Sequence, residues 1–134
     1  MKRNSILLVL AAASLVTSLA FGADKKVTAS FETLSSSGIS GQAELSAMPQ
    51  GGTLIHETLR GLQPNTEYVS IFYLNGTCSP EAASAADVIQ RFQANAAGIA
   101  NFSQQVNKDL LSIKSVSVQL VSDLSVQACA AVNP

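Results

Sequence analysis

The most constraining feature of the sequence is a strand, turn and strand pattern over residues 59–78. Pro64 and Asn65 reverse the chain, because proline presets φ for a turn and asparagine tolerates unusual backbone angles. Residues 68–74 are too uniformly apolar for a strand with one face in water, which predicts a central, covered strand. Tyr68 is placed for its phenol to bond back to the turn, as in a tyrosine corner. The stretch therefore favours an antiparallel β-sandwich.

Strand patterns continue on both sides of this stretch. Apolar and polar residues alternate with the period of two that is typical of half-buried strands, and turn-forming residues separate the alternating segments. Helical periodicity is nearly absent, so the sequence predicts an all-β domain of eight short antiparallel strands, a sandwich or barrel. Residues 79–86 are predicted as a loop with a helical turn. The predicted strands are residues 27–34, 39–48, 53–62, 67–74, 88–94, 99–106, 115–120 and 125–132.

Residues 1–22 have the composition of a secretory signal peptide. Lys2 and Arg3 precede an apolar run over residues 6–21, and the small residues Ala20 and Gly22 follow the pattern of a cleavage site. A membrane anchor is the alternative, but the run is short of the roughly 20 apolar residues that span a bilayer. We therefore expect cleavage near Gly22, a single domain over residues 23–134, and a secreted or periplasmic protein that is not inserted in a membrane.

The charges exclude two classes of partner. Residues 23–134 carry six basic and nine acidic side chains, a net charge of about −3, and these are scattered singly along the chain apart from the pair Lys25 and Lys26. The absence of a basic patch argues against nucleic acid, and the absence of a basic amphipathic helix argues against a membrane surface. An envelope or extracellular protein is the expected kind of partner.

The chain has two cysteines, Cys78 and Cys129. Export places them in an oxidising compartment, where a disulfide is the expected state of such a pair. A redox or metal-binding pair is the alternative, and neither a C-x-x-C spacing nor a nearby histidine supports it. The bond would close a loop of about 50 residues.

An ordered set of short motifs resembles the copper/zinc superoxide dismutase-like family. The set comprises Gly61-Leu62, Gly76, Cys78 and the segment Ala128-Cys129-Ala130-Ala131-Val132. The resemblance implies a Greek-key sandwich in which a cysteine after the central strand is bonded to a cysteine in the last strand. The turn over residues 62–68 also resembles the Leu-x-Pro-x-Thr-x-Tyr turn of fibronectin type III modules.

The metal positions of the dismutase-like family are not kept. Ile71 and Tyr73 stand where the resemblance implies copper-binding histidines, Gln119 stands at the later histidine, and Val126 at the substrate-steering arginine; Asp87 alone could correspond to a zinc ligand. The chain also has a single histidine, His56, whereas zinc and copper sites use three or four nitrogen or sulfur ligands. The sequence therefore predicts no metal and no other cofactor.

The remaining residues give no sign of catalysis. Serines lie outside known nucleophile motifs, and the carboxylates are separated in sequence, with none expected in an apolar pocket. We interpret the chain as a non-catalytic binding or structural protein of the cell envelope, with His56 and Asp87 as candidate contacts. A fibronectin-like adhesion module and an enzyme with an unrecognised site are the alternatives.

Overall fold

A computed structural model of the chain describes residues 25–79 and 87–133. The predicted signal peptide, residues 1–22, and most of the predicted loop 79–86 lie outside these ranges. Among the described residues, no helix is long and apolar enough to cross a membrane.

The described residues form nine strands and one short 3-10 helix, Leu110–Ser112. Each strand overlaps a segment in which apolar and polar residues alternate, or the continuous apolar segment predicted to be covered. The strands are β1 (Lys26–Ser30), β2 (Glu32–Thr33), β3 (Ser40–Ala47), β4 (Thr53–Arg60), β5 (Glu67–Tyr73), β6 (Val88–Gln93), β7 (Ala100–Val106), β8 (Ser115–Leu120) and β9 (Val126–Ala131).

The strands form two antiparallel sheets that pack as a β-sandwich. One sheet has four strands in the order β1-β3-β4-β7, and the other has five in the order β2-β9-β8-β5-β6. Strand β5 pairs with both β6 and β8. The apolar segment 68–74 therefore lies inside the sheet, as predicted. The prediction of an all-β antiparallel sandwich is confirmed.

The first predicted strand is divided, which corrects the predicted count of eight. Strand β1 pairs with β3 in one sheet and β2 pairs with β9 in the other. Between them the buried Phe31 donates its backbone N–H to the carbonyl of Gly41 at 2.9 Å. A Cβ at Gly41 would collide with the backbone carbonyl of Thr58. Glycine at position 41 therefore lets the strands approach closely where the chain changes sheet.

The core lies between the sheets and is built from the inward positions of both. On β4, Ile55 and Leu59 are fully buried, and on β8 Val116 and Val118 are fully buried. Their alternation with half-buried or polar neighbours follows from the two-residue period of a strand. Burial of this apolar surface is the main favourable contribution to folding.

Tyr68 forms the predicted tyrosine corner. The backbone N–H of Gln63 donates to Tyr68 Oη at 3.0 Å, and Asn65 has the positive φ of 58° expected in the turn. The Tyr68 ring stacks on Phe92 with centroids 5.8 Å apart. The phenol thus ties the turn before β5 to the core.

Replacing Tyr68 with phenylalanine is expected to lower the free energy of unfolding by about 1 kcal/mol. The ring keeps its packing, but the Gln63 N–H loses its acceptor. Urea unfolding followed by circular dichroism measures the difference. An unchanged midpoint would show that the corner contributes nothing.

Candidate functional site

Ile71 and Tyr73 lie on the outer face of the five-stranded sheet. The positions that alternate with them on β5, Tyr68 and Phe72, belong to the core between the sheets. Both outward side chains are nevertheless buried, with only 7% and 4% of their surfaces exposed. They belong to a second apolar cluster with Val69 and Cys78, against which Val88, Val121, Val126 and Cys129 pack.

A polar network lies within this second cluster. Gln119 donates from Nε2 to Tyr73 Oη and, at 3.3 Å, to Ser117 Oγ. Tyr73 Oη and Ser117 Oγ are hydrogen-bonded at 3.0 Å. Ser117 is also the sheet partner of Ile71. The three positions that the resemblance implied as metal positions therefore lie on one face, and two of them are in contact.

Ser117 is a member of the network that sequence reasoning missed. It lies two residues before Gln119 on β8 and so occupies the same face of the strand. That spacing was the available signal, although a serine in a strand has no chemistry that singles it out.

The network contains no Asp, Glu, His, Lys or Arg side chain. It consists of two hydroxyl groups and one amide, all buried, and its surroundings are aliphatic. Hydrogen bonds satisfy these groups and offset the cost of burying them. Among the described residues, no group of three or more His, Cys, Asp or Glu side chains is placed to hold a metal ion.

The disulfide between Cys78 and Cys129 fixes a loop against this face, as the sequence predicts. The two Cα atoms are 6.0 Å apart. Ser115 accepts the Cys78 N–H at 3.1 Å and donates its hydroxyl to the carbonyl of Asn75 at 2.6 Å. Asn75 Oδ1 accepts from the N–H and hydroxyl of Thr77 and from the N–H of Ser79. The loop over residues 75–79 is therefore held at both its backbone and its side chains.

His56 lies on the outer face of the other sheet. Its Nδ1 is 2.6 Å from Ser103 Oγ, and its Nε2 is 3.5 Å from Thr58 Oγ1. Glu44 is its sheet partner on β3 but forms an ion pair with Lys26 at 2.8 Å. His56 therefore lies between Ser103 and Glu44 on neighbouring strands. The Glu44 carboxylate does not form the hydrogen bond that orients a catalytic imidazole.

Asp87 lies immediately before β6, in the five-stranded sheet, and is half-buried. His56 lies on β4, in the four-stranded sheet. The two candidate contacts predicted from the sequence thus stand on different sheets, and the structure does not bring them into one site.

The prediction that no carboxylate lies in an apolar pocket is wrong for Glu57. It is fully buried between the sheets and accepts a hydrogen bond from Ser70 through Oε1. Among the described residues its Oε2 has no hydrogen-bond partner. Burial raises the pKa of Glu57 from 4.5 to about 8, although the Ser70 hydrogen bond opposes the shift. Its carboxyl group is therefore neutral at pH 7.

The signal for Glu57 was present in the sequence. Ile55, Glu57 and Leu59 occupy alternate positions of β4, and the two apolar ones face the core. A carboxylate between two inward positions of a strand has to be buried unless the register slips. The two-residue period of β4 therefore places Glu57 among the core positions.

Replacing Tyr73 with phenylalanine is expected to destabilise the protein by about 1–3 kcal/mol, because Ser117 and Gln119 lose a buried partner. The double replacement Tyr73→Phe and Gln119→Met removes both members of the Tyr73–Gln119 hydrogen bond. It is expected to lower the free energy of unfolding by less than the sum of the two single replacements. Urea unfolding of the four proteins in a double-mutant cycle measures the coupling. Additive effects would contradict a coupled network.

No protein-family model matches the chain, and no curated protein is significantly similar to it in sequence.

Proposed function

We propose that this chain is a non-catalytic exported protein with a dismutase-like scaffold, which acts by binding a partner in the cell envelope or outside the cell. The observation that carries the proposal is the buried network of Tyr73, Ser117 and Gln119 beside Ile71. Ile71, Tyr73 and Gln119 occupy the three positions that the resemblance implied for histidine ligands, and Tyr73 and Gln119 are hydrogen-bonded to each other.

The connections between the sheets support the dismutase-like part of the proposal. Strand β7 leaves the sheet of β6 and pairs with β4, and the chain then returns so that β8 pairs with β5. Such exchanges between the sheets are typical of Greek-key sandwiches.

The disulfide supports both the scaffold and the localisation. It joins the loop after β5 to the last strand, which is the pairing that the resemblance implies. Disulfides are typical of secreted and periplasmic proteins, so the bond agrees with the predicted signal peptide over residues 1–22.

Two alternative functions each have one structural feature in their favour. The tyrosine corner at Tyr68 favours a fibronectin-like module, but four strands follow Cys78 among the described residues, which favours the dismutase-like arrangement. The contact between His56 and Ser103 favours an enzyme. An enzyme acting through this contact would be labelled at Ser103 by a fluorophosphonate, and we expect no labelling because the second ring nitrogen of His56 faces the Thr58 hydroxyl rather than a carboxylate.

Metal analysis and a dismutase assay test the proposal. We expect the protein purified from its own compartment to hold no stoichiometric copper or zinc, and to show no dismutase activity after incubation with both metals. Chemical crosslinking in the native envelope fraction is expected to join it to a partner protein. Stoichiometric copper together with activity would refute the proposal.

A further inference from the structure

A groove of about 450 Å³ opens on the outer face of the five-stranded sheet, where β2 and β9 meet the loop after β5. This volume is in the range of sites that hold a small molecule or a side chain. Its lining includes Ser30, Glu32, Leu34, Thr77, Cys129 and Asn133. Neither the network of Tyr73 nor the contact of His56 belongs to it.

The groove is fixed by covalent and hydrogen-bonded contacts rather than by exposed side chains alone. Thr77 forms part of its wall and is held by two hydrogen bonds to Asn75 Oδ1, each of 3.1 Å. Cys129 also lines the groove and is disulfide-bonded to Cys78, the residue that follows Thr77. A ligand would therefore enter a preformed site, which lowers the entropic cost of binding.

Glu32 gives the groove its charge. It is the one charged side chain in the lining among the described residues, and it is exposed. The single ion pair in the described part of the chain joins Lys26 to Glu44, so no basic side chain within that part forms an ion pair with the Glu32 carboxylate. Hydroxyl groups of Ser30 and Thr77 and the amide of Asn133 share the lining and add hydrogen-bonding groups.

We propose that this groove binds an arginine or lysine side chain of a partner protein, with the Glu32 carboxylate as the anionic contact. A guanidinium group can donate two parallel hydrogen bonds to a carboxylate, and its remaining N–H groups suit hydroxyl and amide oxygens. The apolar stem of such a side chain suits the contact with Leu34 and Ala131 in the same lining. The inference rests on the proposed binding function and names the chemistry that the partner must present.

Titration of the oxidised, 15N-labelled protein with an acetylated Gly-Arg-Gly amide tests the inference, with the matched citrulline peptide as a neutral probe of the same shape. We expect the arginine peptide to shift the backbone amide signals of Ser30, Glu32 and Thr77, and the citrulline peptide to shift them far less. Glu32→Gln is expected to weaken binding of the arginine peptide about fivefold or more. Glu67→Gln, which changes another exposed carboxylate at the start of β5, is expected to leave binding unchanged.

Three results would overturn the inference: no shift with either peptide, equal shifts with both, or equal loss of binding in Glu32→Gln and Glu67→Gln. None of them bears on metal content. A negative result for arginine binding in the groove is therefore distinguishable from a negative result for the proposed function. The latter would appear as stoichiometric copper with dismutase activity.

Discussion

We expect the wild-type protein to become less stable as the pH rises from about 4.5 to about 8. Replacing Glu57 with glutamine is expected to abolish most of this decrease. In the folded protein, burial raises the pKa of Glu57 to about 8, against 4.5 for the exposed group. Between these values the folded chain keeps a proton that the unfolded chain releases. Raising the pH therefore favours unfolding, by about 1.4 kcal/mol per pH unit over this window.

The sign follows from the raised pKa. The stabilising contribution of Glu57 is complete below about pH 4.5, falls as the pH rises, and is lost above about pH 8, where the buried group ionises. The total loss is about 4–5 kcal/mol, a large part of the 5–15 kcal/mol that stabilises an ordinary domain. Glutamine is neutral at every pH, has nearly the same shape, and can still accept the hydrogen bond from Ser70.

Urea unfolding at a series of pH values measures this difference. We expect the wild type and Glu57→Gln to be similar in stability near pH 4 and the variant to be more stable by several kcal/mol near pH 8.5. Glu67→Gln, at an exposed position, serves as the control and is expected to follow the wild-type profile. Parallel profiles for the wild type and Glu57→Gln would show that Glu57 is ionised in the folded protein.

Removing the disulfide is the second change with a large expected effect. Replacing both Cys78 and Cys129 with alanine is expected to lower the free energy of unfolding by about 4 kcal/mol. The bond closes a loop between residues 51 positions apart, and the unfolded chain gains the corresponding freedom when it is absent. The loop over residues 75–79 also loses its covalent tie to β9.

Chemical unfolding of the oxidised wild type, the reduced wild type and the double variant measures the contribution of the bond. The reduced wild type and the variant are expected to agree within about 1 kcal/mol, and a reductant is expected to have no effect on the variant. If reduction leaves the unfolding midpoint of the wild type unchanged, the disulfide does not stabilise the sandwich.

Strand positions were predictable because their signal is local. Strand β8 falls on residues 115–120 as predicted, since its valines alternate with polar residues. The division between β1 and β2 was not predictable, because it depends on the contact of Phe31 with Gly41 on another strand. Local periodicity identifies a strand, but the sheet to which it belongs is decided by tertiary contacts.

The candidate site was predictable only in part. The resemblance drew attention to Ile71, Tyr73 and Gln119, and strand periodicity indicates which of them share a face. Their contact depends on the pairing of β5 with β8, which brings together residues 46 positions apart. Residue type alone does not single out Ser117 or Glu57; the two-residue period of their strands is the signal that places them.

We propose that Tyr73 and Gln119, which are hydrogen-bonded to each other, occupy positions where the resemblance to the dismutase-like family implies copper-binding histidines. Titration of the purified, metal-stripped protein with Cu²⁺, followed by electron paramagnetic resonance, tests it most directly. A variant with Ile71→His, Tyr73→His and Gln119→His supplies the imidazoles and serves as the reference for a bound ion. We predict that the wild type shows no saturable copper signal, whereas one tightly bound copper ion per wild-type chain would contradict the claim.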